Sequence, residues 1–154
     1  MASGRLGGIP IGGSVAIPNA AGTEVRRGLT RENESAKLLA EKGFRVDQSR
    51  IILPNGKEPD LTIEGRVFDV LSPKSDNLNQ ILKDFKNKTL GQKIGGVRSK
   101  PQTRNLVVNL NDTSVSPSVI QDFILNRSSS LPTLNEVIII PKNSTDLVRF
   151  DLFR

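Results

Sequence analysis

Apolar positions repeat with two different periods along this chain, and the two periods predict alternating helices and strands. Helical spacing of apolar residues predicts helices at 30–44, 75–90 and 116–126. Short apolar or alternating runs predict strands at 45–49, 61–63, 66–71, 105–110, 136–141 and 147–153. Because buried strands alternate with helices, we expect an α/β domain in which helices flank a central mixed β-sheet.

The first predicted helix carries a signal at each end. Thr30 is the expected N-cap and Gly43 the expected stop. Before this helix, residues 1–28 are rich in Gly, Ala, Pro and Ser without any period. That composition predicts a flexible leader or linker, followed by a functional domain at 29–154. No apolar run in the sequence is long enough to span a bilayer.

Two aspartates, Asp60 and Asp69, lie on either side of a predicted turn at Glu64-Gly65. A two-residue turn there makes them direct cross-strand neighbours, where like charges destabilise a sheet. A bound cation, a lysine or a raised pKa on one acid would offset the repulsion. An all-oxygen site of this kind suits Mg²⁺. The alternative is a longer turn, which would shift the register and leave both acids in solvent.

The first predicted helix offers a third acid. Glu32 lies four residues before Ala36, on the apolar stripe that Ala36 shares with Leu39 and Ala40. Glu32 is therefore expected to face the sheet, whereas Glu34 falls nearly opposite, toward solvent. A glutamate near a helix start also favours the helix dipole, which alone would explain either residue.

Composition restricts the chemistry that this chain can perform. It contains no Cys, His, Trp or Tyr, which excludes Ser-His-Asp and Cys-His triads and the usual zinc sites. Catalysis must then come from carboxylates, lysines, hydroxyls, amides or a hard metal ion. The net charge of +6 and a pI of about 10.0 are compatible with a polyanionic partner.

Positive charge is concentrated in the segment 85–104, which contains no acidic residue. Its Gly and Pro content predicts a loop after the second helix, and such a loop suits a phosphate backbone. A solvated loop without a partner is the alternative interpretation. The basic residues of this segment are Lys86, Lys88, Lys93, Arg98, Lys100 and Arg104.

Four stretches together resemble the C-terminal tRNase toxin domains of contact-dependent growth inhibition proteins and related polymorphic toxins. They are "RENESAKLLAEKGFRVDQ", "LPNGKEPDLTIEGRVFDVLSPKSDN", "QTRNLVVNLNDTSVS" and "EVIIIP", within about residues 29–150. The nuclease core of those toxins belongs to the PD-(D/E)XK superfamily, which implies a mixed sheet flanked by helices. The resemblance also implies an active site formed by a helix acid, Glu32 or Glu34, together with Asp60, Asp69 and a lysine.

The lysine departs from the simple superfamily motif, because Leu71 stands two residues after Asp69. In the tRNase toxins the lysine resembles one on the following helix, and Ile81, Phe85 and Lys88 match that pattern here. The resemblance therefore favours Lys88 as the catalytic lysine. Lys74 and Lys86 are the alternatives, and both are also candidates for binding nucleic acid.

The resemblance implies a toxin nuclease that cleaves phosphodiester bonds in tRNA during competition between bacteria. A divalent metal, Mg²⁺, would be held by Asp60 and Asp69. A cognate immunity protein is the implied partner, and a basic active-site face predicts that this partner is acidic. The domain would be delivered from a larger secreted or cell-surface toxin and act in the target-cell cytoplasm. Two alternatives stay open: a metal-dependent DNA endonuclease and a non-catalytic nucleic-acid-binding domain.

Overall fold

Helices and strands alternate along the chain as the hydrophobic pattern predicts. The computed structural model describes residues 2–49, 52–91, 93–98, 101 and 103–152. In these residues the helices are α1 Thr23–Glu41, α2 Leu78–Leu90 and α3 Pro117–Leu125, with a 3-10 turn at Ser128–Ser130. The strands are β1 Val46–Asp47, β2 Leu61–Ile63, β3 Arg66–Leu71, β4 Lys93–Ile94, β5 Val97–Arg98, β6 Asn105–Asn109, β7 Glu136–Ile140 and β8 Val148–Asp151.

Six strands form one mixed sheet in the order β1-β2-β3-β6-β7-β8. The hairpin pairs β1-β2 and β2-β3 are antiparallel, β3, β6 and β7 are parallel, and β8 returns antiparallel at the edge. Strands β4 and β5 form a separate small hairpin after α2. The predicted mixed sheet is therefore confirmed.

The core occupies both faces of the sheet. On one face, α1 packs through Leu39 and its neighbours against Phe68 of β3. On the other, α2 and α3 pack through residues such as Phe85 and Ile120 against Leu71 of β3. Because side chains alternate along a strand, Asp69 shares the face of Leu71 and lies on the side of α2. None of the helices among the described residues is long and apolar enough to cross a membrane.

The tight turn between β2 and β3 is confirmed, and it fixes the register that the two aspartates require. Glu64 and Gly65 both adopt positive φ, 51° and 78°, as a two-residue hairpin turn demands. Ile63 pairs with Arg66, and the pairing continues in step along both strands. The alternative of a longer turn with a shifted register is therefore wrong.

The start of the first helix was predicted wrongly. Helix α1 begins at Thr23, after Gly22, which provides no side-chain cap. Thr30 lies inside the helix and its hydroxyl donates to the carbonyl of Arg26 at 2.7 Å. The predicted boundary at residues 28 and 29 therefore falls within α1. Within the predicted leader, two residues each form a single β-bridge with the rest of the domain. Leu6 pairs with Lys42, directly after α1, and Ile11 pairs with Asp47 of β1.

The predicted loop after α2 contains a hairpin. Helix α2 ends at Leu90, as predicted, and the hairpin β4-β5 occupies 93–98. Gly95 and Gly96 form the hairpin turn with positive φ values of 59° and 82°, which glycine adopts at little cost. The two glycines that helped to predict a loop therefore form the tight turn of a hairpin.

An ion-pair clasp explains why α1 extends so far toward its N-terminus. Asp112, in the loop after β6, accepts from Arg31 Nη2 at 2.9 Å and from Arg27 Nη1 at 2.8 Å. Arg27 also donates to the carbonyl of Ser72 at 2.7 Å. These contacts tie the first turns of α1 to two loops at the ends of β3 and β6. The hydrogen bonds from Arg31, and then those from Arg27, lower the pKa of Asp112 to about 2.

Replacing Asp112 by Asn tests the clasp. The folded pKa of about 2 lies below the unfolded value of roughly 3.9, so the stabilisation is present at neutral pH and is lost as pH falls toward 2. We expect Asp112→Asn to lower the free energy of unfolding by about 1–2 kcal/mol at pH 7, because these side chains are partly exposed. Urea denaturation should show this difference shrinking below pH 4; a difference independent of pH would contradict the clasp.

Candidate active site

Asp60 and Asp69 are held together by a reciprocal pair of hydrogen bonds. The Asp60 amide donates to Asp69 Oδ1 at 3.0 Å, and the Val70 amide donates to Asp60 Oδ2 at 2.8 Å. The two aspartates lie one position beyond Leu61 and Phe68, the last partners of the β2-β3 ladder, which is where the sequence predicts them. Asp69 is completely buried, so its charge has no access to water. Such a pair needs a nearby positive charge or a bound proton.

Lys88 supplies that positive charge from α2. Its Nζ lies 3.2 Å from Asp69 Oδ2, and its side chain is 31% exposed. Ile81 and Phe85 are fully buried under the same helix face, so the helical spacing carries Lys88 over the aspartate. Leu71 is instead part of the core beneath α2. The structure therefore places a lysine at the site even though the usual motif position holds leucine.

Glu32 is the helix acid that reaches the pair. Its side chain lies in the buried part of α1, with only 8% of the residue exposed. Burial, and next the charge of Asp69, raise the pKa of Glu32 to about 7, opposed by a hydrogen bond with Asp60 and by Lys88. Three carboxyl groups thus interact around one lysine.

Burial also raises the pKa values of both aspartates. The pKa of Asp69 rises to about 7, because of burial and then the charge of Asp60, with Lys88 opposing. The pKa of Asp60 is raised by burial and then by Glu32, with the Val70 amide and Lys88 opposing. At neutral pH the site therefore holds carboxyl groups that can both take up and release a proton.

Glu34 is separated from this site; its side chain is 35% exposed, so it reaches solvent as predicted, but hydrogen bonds also hold it. Its carboxylate accepts from Arg31 at 2.7 Å and from Asn109 at 3.1 Å, and also from Asn111. These partners belong to the region of the Asp112 clasp. The structure therefore brings Glu32, and not Glu34, to the aspartates.

The donor atoms of the site suit a hard cation. Asp69 Oδ2 is buried and makes no hydrogen bond with the described residues, and Lys88 Nζ is its charged neighbour. Although Glu32 interacts electrostatically with the two aspartates, no three acidic side chains among the described residues are arranged to bind one metal ion. Two aspartates with water as the remaining ligands would match the coordination that Mg²⁺ prefers. The metal stays a prediction.

Lys74 and Lys86, the alternative lysines, lie outside the carboxylate cluster. Lys74 pairs with Glu24 at the start of α1. Lys86 is half-buried on α2, two residues before Lys88, and the two therefore point about 200° apart around the helix. Among the described residues, Lys88 is the lysine that forms an ion pair with Asp69.

The other basic residues lie on the segment between α2 and β6. Lys93 and Arg98 pair across the β4-β5 hairpin through their backbones. Arg104 is exposed directly before β6. Lys100 lies outside the described residues. Their role in binding nucleic acid stays a prediction.

Asp84 is a residue near the site that the sequence argument missed. It lies on α2 four residues before Lys88 and accepts from Gln80 Nε2 at 3.2 Å. Burial raises its pKa, opposed by Gln80 and then by Lys83 and Lys88. The spacing of four between Gln80, Asp84 and Lys88 was the available signal, because it places all three on one helix face.

The fold matches that of a solved toxin domain. A chain of the CdiA-CT/CdiI toxin and immunity complex from Burkholderia pseudomallei is similar to it, with a TM-score of 0.79 and 35% identity. The match covers 94% of this chain and 99% of that one. The fold is thus that of a toxin domain of this class.

Sequence comparison gives the family. Residues 57–145 match the model for the contact-dependent growth inhibition CdiA C-terminal domain. The chain is also 39% identical over 141 residues to a protein named tRNA nuclease CdiA-2 from Burkholderia pseudomallei (strain 1026b). This chain belongs to the CdiA C-terminal domain family. The match covers 92% of the chain but only 4% of that relative, which is a far larger protein.

Replacing Glu32 by Gln tests the electrostatics of the site. The folded pKa of about 7 exceeds the unfolded value of roughly 4.3, so this residue destabilises the fold increasingly as pH rises from 4 to 7. In EDTA, we expect Glu32→Gln to raise the free energy of unfolding by roughly 1–2 kcal/mol at pH 8. The difference in the free energy of unfolding between the two proteins should disappear near pH 4. Equal stability of the two proteins at pH 8 would show that the charge of Glu32 does not destabilise the fold.

Proposed function

We propose that this chain is a toxin nuclease that cleaves phosphodiester bonds in tRNA. The observation that carries the proposal is the convergence of Glu32, Asp60, Asp69 and Lys88 in one partly buried site. Support for the substrate comes from the 39% identical relative, whose name is tRNA nuclease CdiA-2. The family of this chain is a family of growth-inhibition domains, which fits a toxin.

Lys88 is the group suited to stabilise a phosphate whose negative charge increases in the transition state. Its ammonium is fixed by Asp69 and is still partly exposed, so it can contact a substrate oxygen. A fixed positive charge at such a position is a strong source of rate enhancement, because it needs little reorganisation during the reaction.

Glu32 is suited to move a proton. A carboxyl group with a pKa of about 7 is present in both protonation states near neutral pH, which favours general acid or base catalysis. Asp60 and Asp69 would hold a divalent metal, Mg²⁺. When bound, such an ion would polarise the phosphate and lower the pKa of a water molecule.

Basic residues around the site would hold the RNA backbone. Lys74 precedes α2 and Lys86 lies within it. The segment that follows the helix contains Lys93, Arg98, Lys100 and Arg104. Contacts of this kind position a nucleic acid without reading its sequence. They also make affinity decrease as salt concentration rises.

The biological setting follows from the same relatives. A similar toxin domain was solved in complex with an immunity protein, and we propose a cognate immunity partner for this chain. With a net charge of +6 on the toxin, that partner is expected to be acidic. The chain would be the C-terminal part of a larger surface-delivered toxin and act in the target-cell cytoplasm.

A gel of total tRNA tests the proposed activity. The purified chain should give discrete fragments with Mg²⁺ and lose this activity in EDTA. Asp60→Ala should reduce cleavage by at least about 10²-fold, since it removes a group that acts in the transition state. Asp122→Ala is the matched control, because this aspartate is exposed on α3.

Plasmid DNA incubated in parallel separates the alternatives. Intact tRNA with nicked plasmid would overturn the tRNA assignment in favour of a DNA endonuclease. Cleavage of neither substrate, with retained binding of tRNA, would favour the non-catalytic domain. Cleavage of tRNA that persists in EDTA would reject the metal.

A further inference from the structure

We propose that a cavity next to the carboxylate–lysine site (Glu32, Asp60, Asp69 and Lys88) receives one nucleobase of the substrate RNA and favours a base with an exocyclic amino group. This inference rests on the proposed tRNA cleavage and names a specificity site for it. The cavity measures about 330 Å³ and lies between α2, the start of β3 and the segment that leads into β6.

The cavity adjoins the site through two of its wall residues. Val67 precedes Asp69 by two positions on β3, so both side chains share one face of the sheet and lie roughly 7 Å apart along the strand. Thr89 follows Lys88 directly on α2. A nucleotide whose phosphate reaches Lys88 would therefore have the cavity within the reach of its base.

The walls and the volume of the cavity suit a single base. Leu53, Val67 and Pro101 provide apolar surface, and ligand sites in proteins are predominantly apolar with a few placed polar groups. The volume is at the small end of the range for such sites, roughly 300–1,000 Å³, which favours a base over a whole dinucleotide. Proteins that recognise single-stranded RNA commonly take an unstacked base into a pocket of this kind.

The polar groups of the cavity offer acceptors. The Asn105 amide nitrogen donates to the Val67 carbonyl at 3.0 Å, which fixes the orientation of that amide. Thr89 donates to the Phe85 carbonyl at 2.9 Å, and Thr133 donates to the Thr89 carbonyl at 2.7 Å. Because the two threonine hydroxyl hydrogens are used, their oxygens can offer only lone pairs to a ligand.

Asn105 Oδ1 is the acceptor that we expect to read the base. Among the described residues it accepts no hydrogen bond, while one N–H of the same amide donates to the Val67 carbonyl. Adenine, cytosine and guanine each present an exocyclic amino group, whereas uracil offers only one ring N–H. The free acceptor Asn105 Oδ1 therefore favours an amino-bearing base over uracil.

Arg104 completes the cavity as a phosphate contact. It is exposed, lines the cavity and lies between Thr103 and Asn105 in sequence. Its guanidinium suits the phosphate of the nucleotide whose base enters the cavity. Two hydrogen bonds hold this wall in place: Thr103 donates through its amide to the Lys88 carbonyl at 3.3 Å, and Asn55 Nδ2 donates to the Pro101 carbonyl at 3.0 Å.

Nucleotide binding can be measured without cleavage. The Asp60→Ala chain is titrated with AMP, CMP and UMP while the amide resonances of Leu53, Thr89 and Thr133 are followed by NMR. We expect AMP and CMP to shift these resonances, with UMP binding several-fold more weakly. Shifts confined to residues around Asp69 would overturn the cavity as a base site. Equal binding of UMP would overturn the preference for an amino group.

Filling the cavity tests its role in cleavage. Leu53→Trp, in an otherwise unchanged chain, should slow tRNA cleavage by at least about 10-fold. The matched control is Ser144→Trp, which fills a cavity of about 370 Å³ beside α1. Circular dichroism shows whether both variants fold. If Leu53→Trp does not fold, the nucleotide titration alone tests whether the cavity binds a base.

The outcomes separate the two proposals. If Leu53→Trp cuts tRNA at the wild-type rate and position, the cavity proposal fails and the nuclease proposal stands. If the unaltered chain does not cut tRNA, the nuclease proposal fails, and the titration alone shows whether the cavity binds a base.

Discussion

The candidate site depends on the repulsion between buried carboxylates, which the positive charge of one lysine offsets. Asp69 has no exposed surface, Asp60 lies directly across from it, and Glu32 approaches from α1. Lys88 is the one ion-pair partner that the described residues supply to Asp69. Burying like charges destabilises a fold, and raised pKa values are the measurable sign of that cost. Such an arrangement is expected where the charges serve chemistry, because a purely structural core gains nothing from it.

The fold brings the four groups together from elements on both faces of the sheet. The tight Glu64-Gly65 turn fixes the two aspartates in register, and α1 and α2 then deliver an acid and a lysine from opposite faces. The Asp112 clasp holds the N-terminal half of α1 against the strand ends, which also fixes Glu32. The cavity beside Lys88 uses the same face of β3, so the proposed catalytic and base-binding sites are both built on that strand and on α2.

The sequence predicted what local rules determine and missed what tertiary contacts determine. The two-residue turn set the Asp60–Asp69 pairing, and the apolar stripe of α1 selected Glu32. Lys88 came from family resemblance alone, because no spacing rule connects it to Asp69. The start of α1 was predicted wrongly because its first turns are stabilised by Asp112, 81 residues beyond Arg31. The hydrogen bonds that hold Glu34 to Asn109 and Asn111 were likewise invisible in the sequence.

Single-turnover cleavage of tRNA by Lys88→Met tests the central claim most directly, with Lys83→Met as the control on the exposed side of the same helix. If Lys88 both offsets the buried carboxylates and stabilises the transition state, its loss should slow cleavage by about 10²–10³-fold. Lys83→Met should cleave at nearly the wild-type rate, and both variants should fold. Equal cleavage rates for the two variants would contradict the account, because the carboxylates would then need no lysine to act.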